Sequence, residues 1–206
     1  MMSEQRPDSV RATSAERQAF QGAIAELTAV LAALGEEQLE AVVRLADDVR
    51  SAWAAGGKFL VCGNGGSAAD SQHIVAELVG RFERERSGLP AVALTANTSI
   101  LTAVGNDYGF DEIFSRQVRA LGGPRDVLLV ISTSGNSGNC VAAVAAAHDI
   151  GMKAHGFLGG TGGRLAGLVD SALLVPSDRT PKIQEVHITM GHLLCHLLDQ
   201  PGRDGK

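Results

Sequence analysis

Apolar positions change their rhythm once along this chain, near Gly57. Before it, "SAERQAFQGAIAELTAVLAAL" from Ser14 places Phe20, Ile24, Leu27 and Leu31 at helical spacing. Leu39, Val42, Val43, Leu45 and Val49 repeat that pattern across 36–55. Ser14, with Gln18 after it, is the expected start of the first helix; Gly35 is its expected stop, and Gly56-Gly57 ends the second. Both helices carry more apolar surface than one packing face requires, which fits either contact with another subunit or ordinary core burial.

After Gly57, short continuous apolar runs take over: "KFLVCG" (58–63), "AVALTA" (91–96), "DVLLVIS" (126–132), "KAHGFLG" (153–159) and "SALLVPS" (171–177). Helical patterns lie between them at 67–81, 111–121, 138–150 and 162–168, and a long one runs from 181 to 199. Wholly apolar strands alternating with helices predict a parallel sheet covered on both faces. The expected architecture is therefore α/β: a doubly wound parallel five-stranded sheet flanked by helices, with an N-terminal helical extension. The division expected is a tail and helix at 1–35, the main domain at 36–200 and a polar tail at 201–206. No internal repeat or low-complexity linker interrupts it.

Composition narrows the partners. The chain has 206 residues, enough for one substantial core, with 45% hydrophobic and 20% charged residues. Its formal charge of −5 lacks the basic stripe of a nucleic-acid surface. An anionic ligand must then be caught locally, by amides and hydroxyls. Cys62, Cys140 and Cys195 form no CxxC pair, so each reads as a small buried hydrophobe in a reducing compartment. The N-terminus has no signal-peptide core, and no apolar run approaches the roughly 18 residues that span a bilayer. A soluble, cytoplasmic protein is expected.

Ligands of such sheets bind at the carboxyl ends of strands, near the reversal of strand order. Two turns at strand ends carry suitable chemistry. "GNGGSA" (63–68) offers Asn64, Gly65, Gly66 and Ser67 at the start of a helix, where close backbone approach and unpaired amides favour an anion. It matches neither GxGxxG nor a Walker loop, and a plain tight connection explains it equally well. "ISTSGNSGN" (131–139) puts Ser132, Thr133, Ser134 and Ser137 within six positions. One hydroxyl would be a helix cap; four exceed what capping needs and suit the oxygens of a phosphate monoester.

The motifs "CGNGGSA", "GNDYGF" (105–110), "ISTSGNS" and "IQEVHI" (183–188) occur together in this order. In that combination the chain resembles the sugar isomerase (SIS) domain family, most closely its phosphoheptose isomerases, from about Gln38 to Leu198. The resemblance implies the SIS fold, interconversion of D-sedoheptulose 7-phosphate and D-glycero-D-manno-heptose 7-phosphate, and a homotetramer with active sites at subunit boundaries. It also covers non-enzymatic relatives, which bind the bacterial replication initiator or sense sugar phosphates. Retention of Glu77 and His192 favours the enzyme, and no DNA-binding segment accompanies the domain.

His73 and Glu77 are spaced i,i+4 on the helix that leaves the first turn, so they share one face, and both are good ligands for Zn²⁺. The resemblance adds Gln184 and His192 to that metal site. On spacing alone His192 and His196 suit one ion better, because eight residues of helix rise about 12 Å. Moving a proton between C1 and C2 through a cis-enediol requires a base and an acid, for which Glu77 and His192 are the choices. One carboxylate cannot hold a metal tightly and be a free base at the same stage. The resemblance places Asn106 and Asp107 at the sugar hydroxyls, Thr133 and Ser134 in the substrate loop. His187 and His196 read as core or interface histidines. No phosphate contact is assigned to Arg179 or Lys182.

Overall fold

The computed structural model describes residues 11–200; the expected polar tail at 201–206 lies outside them. Two N-terminal helices, α1 (Ser14–Ala32) and α2 (Glu36–Ala54), precede the alternating region. The first is capped by Thr13, not Ser14. The Thr13 hydroxyl accepts from the Glu16 amide at 3.2 Å while the Glu16 carboxylate accepts from the Thr13 amide at 2.6 Å, a capping box. Gly35 opens α2 rather than ending α1, its amide donating to the Gln38 carbonyl oxygen at 2.8 Å.

Five parallel strands follow: β1 (Phe59–Gly63), β2 (Ala91–Ala93), β3 (Val127–Ser132), β4 (Lys153–Gly159) and β5 (Ser171–Val175). Their order is β2-β1-β3-β4-β5, with Phe59 beside both Ala91 and Val127, and Ile131 beside Phe157. The helices between them are α3 (Gly66–Val79), α4 (Thr98–Tyr108), α5 (Ser115–Leu121), α6 (Gly138–Asp149), the short α7 (Gly163–Ala166) and the closing α8 (Thr180–Asp199).

Alternation along each strand feeds two apolar layers. Phe59, Val61, Leu129, Ile131 and Phe157 face α2, α3 and α8; Leu60, Cys62, Leu128, Val130 and Leu158 face the side of α5 and α6. All three cysteines are free and buried, as their isolation in sequence predicts. Two elements differ from expectation. The second strand, at the edge of the sheet, stops at Ala93, and α4, capped by the Asn97 side chain, occupies a stretch of weak periodicity. α4 buries none of its residues, so little apolar patterning marks it.

The chain steps outward from β1 to β2 and returns to the other side of β1 for β3. That reversal leaves a crevice between the carboxyl ends of β1 and β3. Both ligand-like turns open there.

Candidate active site

The first turn is short because its backbone is tightly folded. Gly65 takes φ +56° as the N-cap of α3, and the Ser67 amide closes back on the Asn64 carbonyl at 3.0 Å. Gly66 has a different reason to lack a side chain. A Cβ there would stand 2.5 Å from Gln184 Nε2, so the amide of Gln184 on α8 lies against the first turn of α3. Asn64 is held across the crevice by a reciprocal amide pair: its Nδ2 donates to Asn139 at 2.9 Å, and Asn139 Nδ2 donates back at 2.8 Å. Asn139, on α6 and buried, thereby ties the first turn to the second.

The second turn uses its hydroxyls on itself and not as helix caps. Ser132 Oγ lies 3.2 Å from Ser137 Oγ and accepts from the Gly135 amide at 3.1 Å. Ser137 is the N-cap of α6, yet its side chain makes no capping bond. Ser134 Oγ accepts from the Asn136 amide at 3.2 Å, and Thr133 is half-buried beside it. Gly135 at φ +64° passes so near the Gly162 carbonyl that no larger residue fits. Hydroxyls and turn amides therefore converge at a helix start left uncapped by side chains, an arrangement suited to an anion.

Chemistry of another kind lies where α3 meets α8. His73 Nε2 stands 3.2 Å from Glu77 Oε1 on its own helix and 3.2 Å from His192 Nε2 on α8. The two imidazoles cross at 64°, and Phe82 stacks on His192 with ring centres 5.9 Å apart. Three lone-pair atoms facing one another repel unless a proton or a cation lies between them. Proton exchange along Glu77, His73 and His192 is thus one use of the site.

Cation binding is another, since separations of 3.2 Å approach the about 3.3 Å edge of a tetrahedron with zinc bonds near 2.0–2.1 Å. Among the described residues no three or more His, Cys, Asp or Glu side chains are already arranged to hold an ion. His73 is the hub of two pairs, and the Gln184 side chain lies against Gly66. His196 does not join His192; its Nδ1 meets Glu83 at 3.1 Å.

Sequence reasoning missed Asp70, which has one carboxylate oxygen buried without a partner, one turn ahead of His73. Burial raises its pKa, and the charge of His73 opposes that shift. Asn106 and Asp107 are exposed at the end of α4, bonded to each other at 2.8 Å. Arg179 forks onto Glu26 of α1 at 2.7 Å, while buried Lys182 is taken up by the Ala23 carbonyl and Glu185. His187 is a core residue: neither ring nitrogen makes a hydrogen bond of good geometry, the nearby Leu158 backbone being at most a weak contact, and burial pushes its pKa down to about 4.

Comparison with known proteins agrees with this geometry. The SIS domain family matches residues 24–159. A phosphoheptose isomerase of Solidesulfovibrio magneticus is 56% identical over 176 residues, which is 85% of this chain and 86% of that one. The chain belongs to the phosphoheptose isomerase family. Solved phosphoheptose isomerases give the same fold. That of Neisseria gonorrhoeae superimposes with a TM-score of 0.84 at 45% identity, covering 89% of this chain and 98% of the other. That of Francisella tularensis gives 0.82 at 43% identity, covering 92% and 100%. The described chemistry thus has two parts: the hydroxyl-rich turn after β3 and the seam of Glu77, His73 and His192 between α3 and α8.

Proposed function

We infer that this chain is an aldose–ketose isomerase that converts D-sedoheptulose 7-phosphate to D-glycero-D-manno-heptose 7-phosphate, the step that opens activated heptose synthesis. The observation that carries this reading is the meeting of Glu77, His73 and His192 within 3.2 Å contacts, on the helix that begins at the first anion turn.

The phosphate tail sits among Ser132, Thr133, Ser134 and Ser137, with Ser67 and the amides of Asn64, Gly65 and Gly66 closing the opposite wall. Holding the tail fixes the distance from C7 to the reacting carbons, so orientation is set before any proton moves. Glu77 takes the proton from C1 and returns it to C2, because among the described residues it is the carboxylate paired with His73. His192 exchanges a proton with the O1 and O2 oxygens, relaying through His73. Asn106 and Asp107, exposed at the end of α4, are the residues proposed for the sugar hydroxyls.

A zinc ion fits the donor types of His73, Glu77, Gln184 and His192, with Glu77 a ligand only at a stage when it is not the base, and when bound it would polarise the substrate oxygens as a Lewis acid. Metal analysis of the purified protein checks this. About one zinc per chain is expected, falling after His73→Ala; a metal-free protein of full activity removes the ion from the account.

A homotetramer with shared sites is the assembly proposed. In its support, α1 has no buried residue, and Phe20 and Ile24 stand 68% and 50% exposed on it. α1 packs Leu27, Val30 and Leu31 against Ile183 and Val186 of α8, which leaves Phe20 and Ile24 as an apolar face open to another subunit. Light scattering giving the mass of one chain would remove the tetramer. Three free, buried thiols fit work in the reducing cytoplasm, and no single helix among the described residues is long and apolar enough to cross a membrane.

The functional test is direct. Purified protein is incubated with sedoheptulose 7-phosphate, with and without zinc or chelator. The aldose 7-phosphate should accumulate to equilibrium; no aldose under any condition refutes the isomerase reading.

A further inference from the structure

The acid–base pair sits on two different helices, so its geometry depends on how α3 and α8 are held together beyond the site. α3 ends poorly by its own means. Its last turn has no basic residue; the Ala76 carbonyl receives the Gly80 amide at 2.9 Å, and the Leu78 carbonyl receives the Leu89 amide, from the connecting segment, at 3.0 Å. The carbonyls of Glu77 and Leu78 have no partner within the helix, as the last carbonyls of any helix do not. Arg86 takes both, donating from Nη2 to the Glu77 carbonyl at 3.0 Å and from Nη1 to the Leu78 carbonyl at 2.8 Å. A guanidinium there also opposes the negative end of the helix dipole.

The same guanidinium reaches α8. Arg86 Nε donates to Asp199 Oδ1 at 2.7 Å, and the Arg84 amide donates to Asp199 Oδ2 at 3.1 Å. The Asp199 side chain is 1% exposed and occupies the last position of α8. A carboxylate is disfavoured both in the interior and at the negative end of a helix, so only its partners make that position tolerable. Asp199 lies seven residues, about two turns, past His192 and so on nearly the same side of α8. Phe82, stacked on His192, belongs to the same connecting segment as Arg86.

We propose that Arg86 and Asp199 form a positioning latch that sets the spacing of Glu77 on α3 against His192 on α8. Neither touches substrate. The latch rests on the isomerase reading, and it works through geometry: misplacing a reacting group by about 1 Å can cost about 100-fold in rate.

Removing Arg86 outright would strand a buried carboxylate and risk the fold, so the test uses Arg86→Lys and Asp199→Asn. Lysine keeps the charge but cannot span two carbonyls and a carboxylate at once. Activity is measured at a temperature where circular dichroism shows each variant fully folded. Each should lose about 10-fold or more in kcat, with KM within twofold of the parent. The double variant should fall no further than the worse single one, because the two residues act as one unit. Folded variants with kcat within twofold of the parent, or with KM rising as much as kcat falls, overturn the latch. Glu77→Gln measured alongside separates the two ideas. If it is dead while Arg86→Lys is intact, the latch alone fails; if Glu77→Gln is active, the base role of Glu77 that the latch serves has failed; if the parent forms no aldose, the isomerase reading itself has failed.

Discussion

The two halves of the crevice are built in opposite ways. The serine turn draws Ser132, Gly135 and Ser137 from six consecutive positions, and its bonds run between near neighbours. The seam between α3 and α8 joins His73 to His192 across 119 residues, with each helix held in place by packing elsewhere. A local anion turn can form wherever a strand feeds a helix. An acid–base pair spread over two helices exists only when the whole sheet is in register. Grip and chemistry should therefore fail independently: damage to the turn weakens binding, and damage to the seam stops turnover.

The largest effect expected comes from breaking the seam. Glu77→Gln keeps shape and volume but removes the proposed base, so kcat should fall by about 10³-fold, within the range for loss of a general base, while KM stays within a few-fold. Steady-state kinetics on sedoheptulose 7-phosphate checks it, and a variant that turns over at the parent rate removes Glu77 from the base role.

Next in size is a test that separates the outer face of α8 from its inner one. His187 is buried and neutral in the fold, with its pKa lowered to about 4. The unfolded chain binds a proton near pH 6.5 that the folded chain refuses until about pH 4, so stability is lost as pH falls through that window. The loss approaches about 1.4 kcal/mol per pH unit, or about 3 kcal/mol in all. His187→Leu should flatten the slope by close to one proton, read from urea unfolding at pH 7 and at pH 4.5. An equally steep loss in the variant assigns the acid sensitivity to another group.

The smallest effects belong to the turn. Ser132→Ala and Ser137→Ala should each raise KM about 10-fold, as expected for one hydrogen bond to a charged group, with kcat little changed. Unchanged KM in both displaces the phosphate from this turn. A fall in kcat without a change in KM would erase the contrast between grip and chemistry.

What could be read in the sequence follows the same division. The five strands, the N-terminal helices and the serine turn were legible because apolar period and hydroxyl density are local signals. His73 and Glu77 could be paired because helical spacing alone puts them on one face. Their meeting with His192 came only through the family resemblance, since spacing along α8 favoured His196, which turns instead to Glu83. Asn139, Arg86 and Asp199 gave no sign in sequence. An asparagine in a turn, an arginine in a charged connection and an aspartate near a helix end are each ordinary, and their partners lie far along the chain. α4 was missed because an exposed helix with no buried residue leaves no period to detect.

Solvent isotope incorporation tests the central claim most directly. With the parent enzyme in D₂O, proton transfer through an exchangeable carboxylate at the seam should place deuterium at C2 of the aldose 7-phosphate, detected by NMR or mass, and Glu77→Gln should place essentially none. Aldose formed with no deuterium at C2, or deuterium introduced by Glu77→Gln at the parent rate, would contradict it.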